Sequence, residues 1–85
     1  MTYYYFYIIY SKSLDRFYIG HTNNMESRLS KHNAHHKGFT GKVNDWVIVY
    51  NEEYLSKSEA YARERQVKSW KSRKKINGLI GEGNN

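Results

Sequence analysis

The stretch Tyr3–Gly20, YYYFYIIYSKSLDRFYIG, decides how the rest of the chain is read. Tyr3 to Tyr10 is an unbroken aromatic and β-branched run, the composition of a strand buried on both faces and therefore central in a sheet. Ser11 to Asp15 is polar and turn-forming. Arg16 to Ile19 returns to strand composition, and Gly20 ends it. Two strands this close in sequence pair as an antiparallel hairpin.

Working outward, Asn23 stands three residues before Glu26 in a capping-box-like pattern, with Asn24 as a second possible N-cap. Met25, Leu29 and His32 follow at helical spacing, which predicts a helix to about His35. His36 to Asp45 carries two glycines and no period, and is expected to be a loop. Trp46 to Tyr50 reads as a third strand. Ser56 and Glu59 form a second cap pattern and open a helix through about Trp70. Ser72 is positioned to cap a short third helix with apolar Ile76, Leu79 and Ile80. The expectation is an α+β domain over residues 1–80, in the order β-β-α-β-α-α. A three-stranded antiparallel sheet is flanked by helices, and residues 81–85 form a flexible C-terminal tail.

With 85 residues there is room for one modest core, so any site must share residues with it. The absence of cysteine excludes disulfides, a thiol nucleophile and cysteine-ligated zinc. No apolar run approaches a membrane span, and no basic region precedes an apolar one at the amino terminus, so a cytoplasmic protein is expected. Fourteen Lys and Arg against eight Asp and Glu give a net charge of +6, which favours a polyanionic partner, chiefly nucleic acid. Seven of those cations fall between Arg63 and Lys75, with Glu64 the one acid among them and Trp70 as a stacking or packing group.

Glu64 is the residue hardest to explain by packing. It lies on one helical stripe with Ala60, Val67 and Lys71, so a carboxylate faces inward where it needs compensation. Either an ion pair or a metal ion can supply that, and a lone carboxylate suits Mg²⁺, which keeps most of its waters. Arg28 and His32, four apart, share one face of the first helix. A guanidinium there can brace a phosphate, and an imidazole can move a proton near neutral pH. A solvated helix face is the plainer alternative. Tyr7 and Tyr18 sit on paired strands, where a suitable register would bring their hydroxyls together. A phenol beside a cation can have its pKa lowered and serve as a base. The spacing of His32, His35 and His36 is not that of a helical zinc pair, and no Gly-rich nucleotide-binding loop is present.

The order of these residues carries more than any one of them. Phe6-Tyr7-Ile8, followed by Tyr18-Ile19-Gly20, resembles the paired element that names the GIY-YIG nuclease superfamily. Thr22, Arg28, His32 with Asn33, the Trp46 strand, Glu64, and Trp70 through Ile76 complete a likeness to its small stand-alone bacterial members. These are similar to the N-terminal nuclease domain of the excinuclease and to homing-endonuclease catalytic domains. The resemblance implies a metal-dependent DNA endonuclease with Tyr7, Tyr18, Arg28, His32 and Glu64 as catalytic residues. It makes Glu64 the ligand of Mg²⁺ or Mn²⁺. Gly20, His21, Thr22, Lys68, Lys71, Arg73 and Lys74 are expected to contact substrate, with Gly20 allowing its close approach. Phe6 replaces the glycine of the first motif, and His21 stands where many members have lysine. The implied partner is DNA, with a targeting protein possible and neither membrane nor nucleotide cofactor. The alternatives are a non-catalytic nucleic-acid-binding module and a nuclease activated only by a protein partner.

Overall fold

The computed structural model describes residues 2–83. Strands β1 (Tyr4–Ser11), β2 (Arg16–Thr22) and β3 (Trp46–Tyr54) alternate with helices α1 (Met25–Asn33), α2 (Lys57–Trp70) and α3 (Arg73–Gly83) in the expected β-β-α-β-α-α order. The sheet is antiparallel throughout, ordered β2-β1-β3, with β1 in the centre.

The uninterrupted apolar run of β1 explains that central place, because each of its faces has a helical layer to cover. Phe6 and Ile8 pack with Ile19, Val67 of α2, and Ile76, Leu79 and Ile80 of α3. Tyr7 and Ile9 point the other way, toward Trp46, Met25 and Leu29 on the α1 side. Full burial of a large apolar side chain stabilises by roughly 1.5–3 kcal/mol, so Phe6, Ile8 and Ile9 are principal anchors. In β3, Ile8 pairs with Tyr50 while Ile9 pairs with Ile48, leaving Val49 as a bulge. The bulge turns Val49 and Tyr50 together toward α2 and α3, while Trp46 and Ile48 stay on the α1 side.

Several boundaries differ from expectation. Asn24, not Asn23, caps α1: its side chain accepts from Ser27 N at 3.0 Å. Helix α1 stops at Asn33 instead of His35, because Ala34 is extended and the Asn33 amide is turned onto β3. That amide accepts from Trp46 N at 2.8 Å and donates to Trp46 O at 3.1 Å, a clamp between helix end and strand start. The segment expected as a loop contains a 3-10 turn, Phe39–Lys42. β3 runs on to Tyr54, with residues 51–54 alternating exposed and half-buried. Helix α3 continues to Gly83, into the stretch expected as tail; residues 84 and 85 lie outside the described residues. Lys71 joins α2 to α3 in the left-handed region, at φ 48°, and Ser72 caps α3 by accepting from Lys75 N at 3.2 Å. No helix among the described residues is long and apolar enough to cross a membrane.

Candidate active site

The hairpin register puts the two motif tyrosines on one face. Tyr7 pairs with Gly20 and Ile9 with Tyr18, so Tyr18 lies diagonally from Tyr7. Gly20 is required by this arrangement. A Cβ built there would stand 2.5 Å from Tyr7 Oη and 2.7 Å from its Cζ. The Tyr7 hydroxyl takes the space that a side chain at residue 20 would need, so the missing Cβ seats that hydroxyl while Gly20 still lines the cleft.

His32 reaches into the same place from α1. Its Nε2 lies 2.7 Å from Tyr7 Oη, and its ring centre lies 4.8 Å from that of Tyr18. Arg28, one turn earlier, stays exposed on the rim. Burial, then Arg28 and His36, push His32 down to about 4, so it is neutral at physiological pH. Burial, with Tyr18 adding to it, raises the Tyr7 phenol despite Arg28. This reverses the expectation of a lowered phenol for Tyr7: loss of water outweighs the guanidinium.

Glu64 enters from α2, buried on the stripe with Ala60 and Val67 as its spacing predicts. Both carboxylate oxygens have partners. His21 Nδ1 lies 2.7 Å from Oε1, and Lys68 Nζ donates to Oε2 at 2.9 Å. The four-residue step from Glu64 to Lys68 makes this a favourable helix pair, though Lys68 is half exposed. Each carboxylate oxygen of Glu64 therefore has a cationic or hydrogen-bonding neighbour.

Tyr7, Tyr18, Gly20, His21, Thr22, Arg28 and Glu64 line one cleft of about 460 Å³, with Tyr4, Asn23 and Lys57 at its edges. All five residues expected to be catalytic therefore converge, with His32 just behind the wall formed by the two tyrosines. The substrate-contact set converges less. Thr22 lines the cleft, but its hydroxyl is engaged locally, accepting from Asn24 N at 3.1 Å at the start of α1. Lys71 lines a separate hollow with Phe17, Phe39 and Ile76. Arg73 ties α3 to the hairpin turn through Asp15, and Lys74 is exposed outside the cleft lining. The dense run of cations is likewise not one free stripe, since Arg63 is paired with Glu52 at 3.0 Å.

Three residues near the site escape the reading from sequence. Asn33 enters only as part of the resemblance, and its clamp on Trp46 needs the tertiary fold. Thr40 Oγ1 lies 2.8 Å from His32 Nδ1 and 3.0 Å from His36 Nε2. The four-residue step between those histidines is visible, but it is not the pattern of a zinc site, and nothing in it marks Thr40.

The donor set fits Mg²⁺ better than a fully caged ion. Among the described residues no three His, Cys, Asp or Glu side chains group for metal binding. A single carboxylate at an open polar cleft suits a cation that keeps its waters.

Residues 3–77 match the model of the GIY-YIG catalytic domain. A UPF0213 protein of Staphylococcus haemolyticus is 38% identical over 78 residues, covering 89% of this chain and 93% of the relative. One from Staphylococcus saprophyticus is 36% identical over 80 residues, covering 93% and 95%. The solution structure of a UPF0213 protein from Bacillus halodurans superposes with a TM-score of 0.58 at 27% identity, covering 93% of this chain and 83% of that one. The chain belongs to the GIY-YIG family, whose nuclease-type catalytic domain spans nearly all of it.

Proposed function

We propose that the protein hydrolyses phosphodiester bonds of nucleic acid, with DNA as substrate and Mg²⁺ as cofactor. The observation that carries this reading is the meeting of Glu64, Arg28 and the paired tyrosines, from separate elements, in one polar cleft. A packing role would call for none of these groups to face a common opening.

Glu64 would hold the ion, which when bound supplies Lewis-acid stabilisation of the phosphate and the departing oxygen. Arg28, exposed at the rim, braces a non-bridging phosphate oxygen and offsets charge as it develops. Tyr7 is the better placed tyrosine to take the proton of an attacking water, because His32 fixes its hydroxyl. Its raised phenol leaves only a minor ionised fraction at neutral pH. Tyr18 closes the other side of His32 and orients the water or the phosphate. Lys68 and the exposed cations of α2 and α3 steer the polyanion, giving salt-dependent binding with little base readout.

The decisive assay is cleavage of labelled duplex, nicked, branched and single-stranded DNA, and of RNA, in Mg²⁺, with Glu64→Ala alongside. The parent is expected to cut at least one substrate and the variant none. Equal cleavage by both would place the chemistry elsewhere.

A further inference from the structure

Behind the tyrosine wall, four side chains and one backbone amide form a continuous line of hydrogen bonds, and its first member fixes the direction in which the line is satisfied throughout. Gly38 N–H donates to His36 Nδ1 at 3.0 Å. An amide N–H cannot accept, so His36 Nδ1 is the bare nitrogen, and the proton of the neutral ring resides on Nε2. That Nε2–H donates to Thr40 Oγ1. Among the described residues Thr40 Oγ1 has two partners, both ring nitrogens. A hydroxyl can accept twice but donates once, and with His36 the donor the one acceptor beside the Thr40 proton among the described residues is His32 Nδ1. A neutral His32 whose Nδ1 accepts carries its proton on Nε2, and Nε2 faces Tyr7 Oη.

We infer that Thr40 and His36 are positioning residues that lock His32 in the Nε2–H tautomer, so that His32 donates to Tyr7 and turns the Tyr7 proton toward the cleft. The inference rests on the proposed nuclease reading for its consequence, but not for its geometry. In this tautomer His32 cannot receive the Tyr7 proton. It instead stabilises the phenolate form of Tyr7 by an N–H donor, and it leaves the phenol hydrogen available to a phosphate oxygen or a water. The opposite tautomer would make Tyr7 a donor to His32 and withdraw its proton from the cleft.

The surrounding chain is shaped to hold this line. The indole of Trp46 donates to the Thr40 carbonyl at 2.9 Å, fixing the 3-10 turn from the strand side. Gly41 lies against the His36 backbone, where a Cβ would stand 2.6 Å from its nitrogen. At Gly38 a Cβ would stand 2.9 Å from Cε1 of the His36 ring. The two glycines that make this segment read as a featureless loop are what let His36 fold back under Thr40.

The test is the imidazole nitrogen spectrum of ¹⁵N-labelled protein, with Thr40→Val, Thr40→Ser and His36→Ala. In the parent, His32 is expected as the Nε2–H tautomer at neutral pH. Observing Nδ1–H in the parent would overturn the inference outright, whatever the variants do and whether or not the protein cuts DNA. Thr40→Val keeps the branched shape without the hydroxyl. It is expected to shift His32 to mixed or Nδ1–H tautomers and to lower saturated cleavage by about 10- to 100-fold, with binding of uncut DNA changed less than about twofold. Thr40→Ser restores both readouts. His36→Ala, at an exposed position, gives a partial tautomer shift and guards against misfolding of the valine variant. A parent with the expected tautomer but no cleavage of any substrate would refute the nuclease reading while leaving the locked histidine standing. A tautomer unchanged in both Thr40→Val and His36→Ala refutes the lock.

Discussion

Glu52 on β3 and Glu64 on α2 are both largely withdrawn from water, with side chains 21% and 11% exposed. Their surroundings differ in kind. Glu52 accepts from Arg63 through two guanidinium nitrogens, at 3.0 and 3.2 Å, and from the hydroxyls of Tyr50 and Tyr54, each at 2.5 Å. Burial alone would raise its carboxyl, yet these donors hold it below the usual range. Arg63 is itself packed over the rings of Phe6 and Trp70, so the pair is built into the core. Glu64 has fewer partners, and neither is a guanidinium fork. Its imidazole and its half-exposed ammonium are single contacts that the proposed cation would displace, and the carboxylate faces an open cleft. A saturated carboxylate is structural. One that is held in place but not used up is what the proposed chemistry requires.

Exchanging the two roles is the strongest way to break that contrast. Glu64→Gln is expected to lower cleavage by roughly three orders of magnitude while the thermal midpoint moves by only a few degrees. Glu52→Gln is expected to do the reverse, costing about 2 kcal/mol of stability by stranding Arg63 while leaving cleavage per folded molecule unchanged. Paired urea melts and cleavage assays read both. If Glu52→Gln abolished cutting in a protein of parental stability, the division would be misplaced.

The arginines repeat the contrast at smaller scale. Arg28→Ala should cost about 100-fold in cleavage with little change in stability, because an exposed guanidinium at the rim contributes almost nothing to folding. Arg63→Ala should leave Glu52 unpaired and shift the urea midpoint instead. A melt of Arg28→Ala displaced as far as that of Arg63→Ala would argue that Arg28 is structural too.

Acid tests the two regions together. The folded pKa of His32 lies below its ordinary 6.5, at about 4, so between those values the unfolded chain binds a proton that the folded chain refuses. Stability therefore falls as pH drops from about 6.5 toward 4, then flattens for this group. The lowered carboxyl of Glu52 contributes stability above its ordinary value of 4.5, which is lost as pH falls through its folded value. The acid limb should thus have two stages, the histidine first, and urea melts of His32→Gln should lose the first stage alone. Activity should run the other way, log rate climbing about one unit per pH unit above neutrality as the Tyr7 phenolate fraction grows. A rate flat with pH would remove Tyr7 as the base.

How much of this is legible in the sequence follows the range of the interactions. β1, α2 and the inward carboxylate of Glu64 are readable because periodicity is local: each residue's face is set by neighbours a few positions away. The meeting of Tyr7 and Tyr18 needs the hairpin register, which the sequence constrains without fixing. Glu52 gives no signal, since its partner Arg63 lies across the fold, and along the chain that arginine groups with the nucleic-acid cations. Arg73 groups with them too, although it closes on Asp15 at the hairpin turn. Charge density along a chain does not reveal which charges are already paired in space. Thr40 and His36 are hidden for a related reason: they lie in an aperiodic segment whose order comes from hydrogen bonds to His32 and Trp46.

The finest probe of the comparison is Lys68, the weaker of the two Glu64 partners. As a pair four residues apart on a helix, with its lysine half exposed, it should contribute only about 0.3–0.5 kcal/mol, so Lys68→Ala should scarcely shift the urea midpoint. Its removal nonetheless takes a positive charge from beside the carboxylate that the cation must approach. Two unit charges about 4 Å apart interact by about 1 kcal/mol in water, so the Mg²⁺ midpoint for cleavage should fall by a few-fold. Lost steering of DNA acts on a different observable, raising the substrate concentration needed at fixed Mg²⁺ and steepening nothing in the metal titration. A metal midpoint that rises in Lys68→Ala would mean that Lys68 holds Glu64 in its working position, and Glu64 would then resemble Glu52 more closely than the geometry suggests.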